Sequence, residues 1–349
     1  FMIMWCFYLG KLKLILLVLF VLDLIMILSL AITPPRKKIT IAGSSTLFPL
    51  AQRWADIYMQ ANPNVSVEVT GGGSGLGILA AGKHTVDIGM SSHPLEPEQR
   101  LEFPSLVEIP VALDAVAIVV NKNVNETLRL SRDMLVAIFS GQVETWEDLA
   151  ERFNITIRAR GEIIVCVRAD KSGTTDVFSK WLSLSEKWTL GHGEVISWPR
   201  SPRFISGNGN QEVLINVRTN PNAIGYVGLA YAQGGENVVV ASILNPSTGK
   251  YVLPTPETVK MAASLNVSMA NATLFDPPIL GAYPITRSLY FVVDRDYVRK
   301  KQHVVAFLRW ILDSQGGQEE SIVRGVGYVE LTDTRLHEIG LAIVASLSP

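Results

Sequence analysis

From residue 38 the chain alternates short apolar runs with segments of helical period, and each apolar run ends in a turn of glycines and hydroxyls. Lys38–Ala42 reads as a strand and gives way to Gly43-Ser44-Ser45-Thr46. Leu47, Leu50, Ala51, Trp54, Ile57, Tyr58 and Ala61 then recur at spacings of three and four, the mark of an amphipathic helix. Asn62-Pro63-Asn64 stops it. Val65–Val69 alternates as a second strand and ends in Gly71-Gly72-Gly73-Ser74-Gly75, with a short helix around Gly77–Ala81. Val86–Met90 is a third strand, ended by Ser91-Ser92-His93-Pro94. This order predicts an α/β fold with a parallel sheet. In such sheets ligands sit beyond the C-terminal strand ends, where all these turns fall.

The pattern resumes later. Leu106–Ala112 and Ala115–Asn121 are apolar runs that carry the chain into a second lobe, which suits a length of 349 residues. Leu130–Ile138 is helical with Ser131 as its N-cap. Ile163–Val167 is a strand leading to Arg168-Ala169-Asp170-Lys171-Ser172-Gly173-Thr174, and Thr174–Leu184 is the helix after it. A turn and strand cover Asn222–Val227, a late strand Leu289–Val293, and a strong helix Val304–Leu312. Trp54, Trp146, Trp181 and Trp310 read as core packing.

Three of these turns have the makings of an anion cradle. A helix N-terminus exposes unpaired N–H groups and the positive end of its dipole. Ser45 and Thr46 serve equally as helix caps, because capping and anion binding use one geometry. The glycines around Ser74 let backbone approach a ligand closely. Arg168 alone would be a surface residue paired with Asp170; the Ser172-Gly173-Thr174 turn beside it favours a ligand role, since its planar fork suits an oxyanion. Asp87 caps or braces the loop after its strand, with direct ligation the lesser reading.

Other chemistries lack their signatures. A net charge of −1 argues against nucleic-acid partners. The five histidines show no metal-ligand spacing and there is no cysteine cluster, so no metal is expected. Gly72-x-Ser74 is not a nucleophile elbow, because residue 76 is Leu, and no Gly-Lys-Ser/Thr follows the glycines. No cofactor motif occurs.

Residues 1–38 are a different kind of sequence. Leu14–Ile32 is nearly continuous hydrocarbon behind Lys11 and Lys13. About 20 apolar residues span a bilayer, and Ser29-x-Ala31 also fits a cleaved secretory signal. The expectation is a signal or membrane anchor and an extracytoplasmic body. Cys6 and Cys166 lie in such different settings that no disulfide is expected. Five Asn-x-Ser/Thr patterns, at Asn64, Asn125, Asn154, Asn266 and Asn271, hint weakly at an exported surface.

The segments AGSSTLFPLAQRWADIY, VTGGGSGLGI, VDIGMSS, IFSGQVETWEDL, VRADKSGTTDVF and NPNAIGYVGLAYA, in that order, resemble the phosphate-binding proteins of Pst-type ABC importers over nearly the whole chain from residue 39. The resemblance implies a two-lobed periplasmic-binding-protein type II fold. It places lobe I at 39–114 and 283–349 and lobe II at 115–282. It implies a monomeric, non-enzymatic receptor that captures inorganic phosphate and hands it to an ABC permease with its ATPase subunits, tethered at the membrane by its N-terminal segment or secreted. By position, Ser45, Thr46, Ser74 and Ser92 would bind phosphate from one lobe and Arg168, Ser172, Gly173 and Thr174 from the other, with Asp170 bracing Arg168. The sequence departs from the family at Ser92, where some members carry an aspartate that accepts the proton of hydrogen phosphate. His93 stands where related sequences often have arginine, so a positive contact there is lost or pH-dependent. Two alternatives therefore stay open: a receptor for another tetrahedral oxyanion such as sulfate or arsenate, and a phosphoester hydrolase using Ser45 or Ser74.

Overall fold

A computed structural model describes residues 16–23, 36–232, 236–264 and 273–347. Most of the apolar N-terminal stretch, together with Asn266 and Asn271, lies outside them. Residues 16–23 are helical, and among the described residues no helix is long and apolar enough to cross a membrane.

The first half of the molecule is built as its periodicity predicts. Strand β1 (Lys37–Gly43) leads to helix α1 (Phe48–Ala61), β2 (Val65–Gly71) to α2 (Ser74–Gly82), and β3 (Ile88–Ser91) to the short α3 (Pro97–Glu102). β1 lies between β2 and β3, parallel to both. Helix α1 buries Leu50, Ala51, Trp54, Ala55 and Tyr58, and the Trp54 indole N–H donates to the Gly317 carbonyl at 2.7 Å. Full burial of such side chains contributes roughly 1.5–3 kcal/mol each. Helix α2 packs against the sheet without side chains between: a Cβ on Gly77 would come within 2.5 Å of the Met90 carbonyl oxygen and 2.8 Å of Gly43 Cα. That contact seats the N-terminus of α2 beside the ends of β1 and β3.

The two apolar runs after residue 105 form one strand, β4 (Leu106–Asn121), 16 residues long. At about 3.3 Å per residue it is roughly 50 Å long, enough to cross both halves of the molecule. Beyond it come β5 (Arg129–Leu130), α4 (Arg132–Phe139), α5 (Trp146–Phe153), β6 (Ile164–Arg168), α6 (Gly173–Leu182), β7 (Phe204–Gly207), α7 (Gly209–Thr219), β8 (Ala223–Gly228) and α8 (Leu229–Ala232). Ser131 caps α4, accepting from the Met134 N–H. The chain closes with β9 (Val238–Val240), β10 (Ser242–Asn245), β11 (Lys250–Val252), α9 (Pro256–Ala263), β12 (Thr273–Phe275), β13 (Ile285–Asp294), α10 (Arg295–Val298), α11 (Gln302–Leu312), α12 (Glu320–Arg324) and α13 (Arg335–Ser346).

The main sheet has ten strands along the path β2-β1-β3-β13-β4-β8-β6-β7, with β12 on β13 and β9 on β4. The parallel expectation holds within each half, where β1 pairs β2 and β3, and β6 pairs β7 and β8. The centre differs: β13 runs antiparallel to β3 and β4, and β4 antiparallel to β8. β4 pairs β13 up to Ala115 and β8 from Val116 onward, so one strand passes from one half of the sheet to the other between adjacent residues. Trp54, Trp146 and Trp181 are fully buried, while Trp310 packs on the core at its margin. Cys166 is a buried free thiol, pushed by burial to a pKa of about 12.

Candidate functional site

Four helix N-termini meet where the two halves of the sheet face each other. Those of α1 and α2 follow the ends of β1 and β2; those of α6 and α7 follow the ends of β6 and β7. The dipoles make this a place of positive potential without net charge.

Arg168, the last residue of β6, is buried, and its guanidinium is held flat by Asp170: Nε donates to Oδ1 at 2.7 Å and Nη2 to Oδ2. Burial alone would raise the Asp170 carboxyl, but the hydrogen bonds and charge of Arg168 outweigh it and hold it below the usual carboxylate range. The Gly209 N–H, at the start of α7, donates to Asp170 Oδ1 at 3.1 Å. Arg168 Nη2 also reaches Ser45 Oγ in the opposite half at 3.2 Å. Its Nη1 is buried and has no hydrogen-bond partner in the protein. An unsatisfied cationic donor in a buried position is costly unless something accepts from it.

The remaining residues expected at the site converge here. Thr46 Oγ1 lies 2.8 Å from Thr174 Oγ1 across the cleft. Ser74 Oγ lies 3.1 Å from Ser92 Oγ and accepts the Ser92 N–H at 3.1 Å. Ser172 caps α6, its Oγ accepting the N–H groups of Thr174 and Thr175, each at 3.1 Å. Gly173 closes the seam: a Cβ there would stand 2.4 Å from both Ser74 Oγ and Ser92 Oγ. Asp87 does not join them. It lies at the start of β3, the far end from Ser91, where Oδ2 accepts from the Thr40 N–H and hydroxyl at 2.8 and 3.0 Å and Oδ1 from Lys301 at 2.6 Å. It clips β3 to β1 and α11 and braces no part of the cleft.

His93 sits against this seam: a Cβ on Gly173 would come within 2.8 Å of its ring Cδ2, though its two ring nitrogens are bonded elsewhere. It is fully buried, with Nδ1 2.7 Å from the Pro94 carbonyl oxygen and Nε2 3.0 Å from Glu194 Oε1 in the other half. Burial favours the neutral ring, yet the Glu194 hydrogen bond and the nearby Asp176 and Glu194 charges outweigh it and raise the pKa above the ordinary histidine value. Glu96, Asp176 and His93 approach one another closely enough to hold a metal ion, a grouping that sequence spacing conceals. The Lys180 ammonium fills that place instead, 2.5 Å from Glu96 and 2.9 Å from Asp176. This pair is a second tie across the seam.

Several residues in the site carry no sequence signal of their own. Arg287 on β13 is buried against Asp114 on β4, with Nε and Nη2 donating to Oδ2 at 3.0 and 2.7 Å. Burial pushes the Asp114 carboxyl up and the Arg287 guanidinium down, against their mutual attraction. Arg287 also reaches Thr46 Oγ1 at 3.3 Å and the Gly173 carbonyl oxygen at 3.4 Å, touching both halves from beneath. Asn210, in the first turn of α7, donates to Thr46 Oγ1 at 2.9 Å and Ser45 Oγ at 3.4 Å. Tyr231 donates to the Ser45 carbonyl at 2.7 Å, and Tyr328 to that of Thr46. The Gly207-Asn208-Gly209-Asn210 turn repeats the strand–glycine–helix pattern of the other clusters and was the available clue.

A cavity of about 410 Å³ opens beside these groups, lined by Ser45, Gly72, Asp170, Gly209, Asn210 and Tyr231 among others. Larger hollows lie elsewhere, one of about 570 Å³ around Asn125, Arg129 and Arg158, so convergence of buried donors rather than volume marks the site. Ser45 Oγ is held by Arg168 and Asn210, and Ser74 Oγ by Ser92.

Residues 31–315 match the PBP superfamily domain. The chain is 34% identical over 324 residues to the phosphate-binding protein PstS of Methanocaldococcus jannaschii, covering 84% of this chain and 82% of that protein. It is 31% identical to PstS of Xylella fastidiosa, covering 81% and 79%. In fold it is similar to the phosphate-binding protein of Stenotrophomonas maltophilia, with a TM-score of 0.65 at 21% identity over 88% of this chain and 94% of that one. By fold, by the order of its motifs and by these similarities, the chain belongs to the PBP superfamily and, within it, to the PstS phosphate-binding proteins.

Proposed function

We propose that this protein captures inorganic phosphate between two lobes and presents it to an ABC permease and its ATPase subunits, performing no chemistry itself. The observation that carries the reading is Arg168: braced by Asp170, buried, and with Nη1 left for an acceptor. Ser45, Thr46, Ser74 and Ser92 would meet the anion from lobe I, residues 39–114 and 283–349. Ser172, Gly173 and Thr174 would meet it with Arg168 from lobe II, residues 115–282. Because the ligand touches both lobes, it stabilises the closed form, and the permease reads closure. The protein works as a monomer outside the cytoplasm, held at the membrane by residues 1–38 or released from it.

Calorimetric titration of the soluble part with phosphate tests this. Micromolar affinity corresponds to about 8 kcal/mol, and each charge-assisted hydrogen bond from Arg168 supplies about 1.5–3 of that. Arg168→Ala should therefore cost nearly all measurable binding. No binding by the parent chain below millimolar phosphate, or an Arg168→Ala variant within threefold of it, refutes the assignment.

The absence of a carboxylate at residue 92 favours a second reading within the same class, a receptor that also accepts sulfate or arsenate.

A further inference from the structure

The hydrogen bonds around Ser45 and Thr46 determine which way their protons point. A hydroxyl oxygen has two lone pairs and one proton. Thr46 Oγ1 receives N–H groups from Asn210 at 2.9 Å and Arg287 at 3.3 Å, which fills both lone pairs. Its proton must go outward, and Thr174 Oγ1 at 2.8 Å takes it. Ser45 Oγ receives Arg168 at 3.2 Å and Asn210 at 3.4 Å, so its proton is likewise committed outward. Ser172 Oγ receives two backbone N–H groups and is in the same state.

Asn210 is the shared element, and its orientation is not arbitrary. An amide can be turned over, exchanging oxygen and nitrogen. Here Asn210 Oδ1 faces the Gly228 N–H at 3.1 Å, and a backbone N–H can only donate. The Nδ2 group, with two protons, must then face Ser45 and Thr46. Asn210 is completely buried, so these protein groups are its hydrogen-bond partners.

We propose that Asn210 is a positioning and specificity residue: it holds Ser45 and Thr46 as obligate donors and tunes the cradle to tetrahedral dianions, whether or not they carry a proton. The proposal rests on the oxyanion-receptor reading above. Acceptor capacity remains only on Ser74, Ser92 and Thr174, neutral hydroxyls that donate as readily as they accept. Each carboxylate oxygen of the two aspartates at the cradle already accepts a hydrogen bond: both oxygens of Asp170 from Arg168, Asp114 Oδ2 from Arg287 and Asp114 Oδ1 from the Leu229 N–H at 3.0 Å. Sulfate, which carries no proton, therefore meets no repulsive acceptor.

The test is titration of the purified soluble chain with phosphate and with sulfate, in the parent and in Asn210→Asp and Asn210→Ala. The parent should bind both anions, with affinities within about two powers of ten, since one neutral hydrogen bond differs between them. Asn210→Asp places a charged acceptor against Ser45 and Thr46. The Ser45 and Thr46 protons would turn towards the new carboxylate and leave lone pairs facing the anion, so sulfate should weaken by at least about tenfold more than hydrogen phosphate, which can donate its proton to such a lone pair. A purely structural role would weaken both anions equally. Asn210→Ala should weaken both together by about tenfold, one lost positioning contact to each hydroxyl, and if the aspartate variant does not fold the parent's own phosphate-to-sulfate ratio decides the matter. A parent that rejects sulfate more than a thousandfold relative to phosphate overturns the proposal. So does an unchanged selectivity ratio in Asn210→Asp, or an Asn210→Ala variant with parental affinities. A parent that binds neither anion removes the receptor reading and this one together; failure in the variants alone removes only this one.

Discussion

At the scale of single residues, the glycine at 173 shows how tightly the two lobes meet. Any side chain there would collide with Ser74 Oγ and Ser92 Oγ at 2.4 Å. The collision exists only when the lobes are together, because residue 173 belongs to one half and both serines to the other. Gly173→Ala should leave the ligand-free chain about as stable as the parent and reduce phosphate affinity by at least tenfold, roughly the 1.4 kcal/mol of a modest overpacking strain. Thermal melting without ligand, set beside calorimetry with it, separates the two quantities; equal losses in both would place the clash in the open form as well. Asp87 teaches the opposite lesson. It occupies a strand in the site region of the sequence, yet four residues of extended chain put it at the wrong end.

The seam between elements carries two charged ties outside the cradle, His93 with Glu194 and Lys180 with Glu96. The histidine tie is pH-dependent. Its pKa in the closed form lies above the ordinary value. A raised value means that the tie contributes fully below the ordinary histidine pKa and is lost as pH rises through the closed-form value. The groups facing the ring are Glu194 and Asp176 from lobe II and Glu96 from its own segment, with Lys180 balancing the last two. His93→Gln removes the titration. The ratio of parental to variant phosphate affinity, in which the titration of phosphate itself cancels, should fall as pH rises from below the ordinary histidine value through the raised closed-form value, by about tenfold for one charge-assisted hydrogen bond. A ratio that stays flat across that range would rule the tie out as a contributor to closure.

For the whole molecule, binding should register as closure and as stability. A ligand at a hundred times its Kd adds about 2.7 kcal/mol to the folded state, which raises the melting temperature by several degrees at about 2–4 °C per kcal/mol for chains of this order of size. Phosphate should also shrink the radius of gyration in small-angle scattering, because the anion engages residues on both sides of the β4 crossing. Arg168→Ala should show neither response. A parent that gains stability without contracting would mean that closure precedes the ligand.

The alternation of strand and helix, the amphipathic face of α1, the cap at Ser131 and the anion-suited turns were all legible in the sequence, because each depends on residues within a few positions of one another. Arg168 and Asp170 were legible for the same reason. Other features depend on residues that only folding brings together. The antiparallel pair β4 and β13 joins residues about 170 apart, and it alone brings Arg287 onto Asp114 beneath Thr46. The single long β4 was hidden because two apolar runs look the same whether a turn or an extended backbone joins them. Asn210 reads as an ordinary polar residue in a helix until Gly228, Ser45 and Thr46 surround it. Local chemistry thus settled that the chain offers donors to an anion. Tertiary structure decided which partners surround each of those hydroxyls, since residues such as Asn210 and Arg287 meet Thr46 only across sequence distances of more than 160 positions.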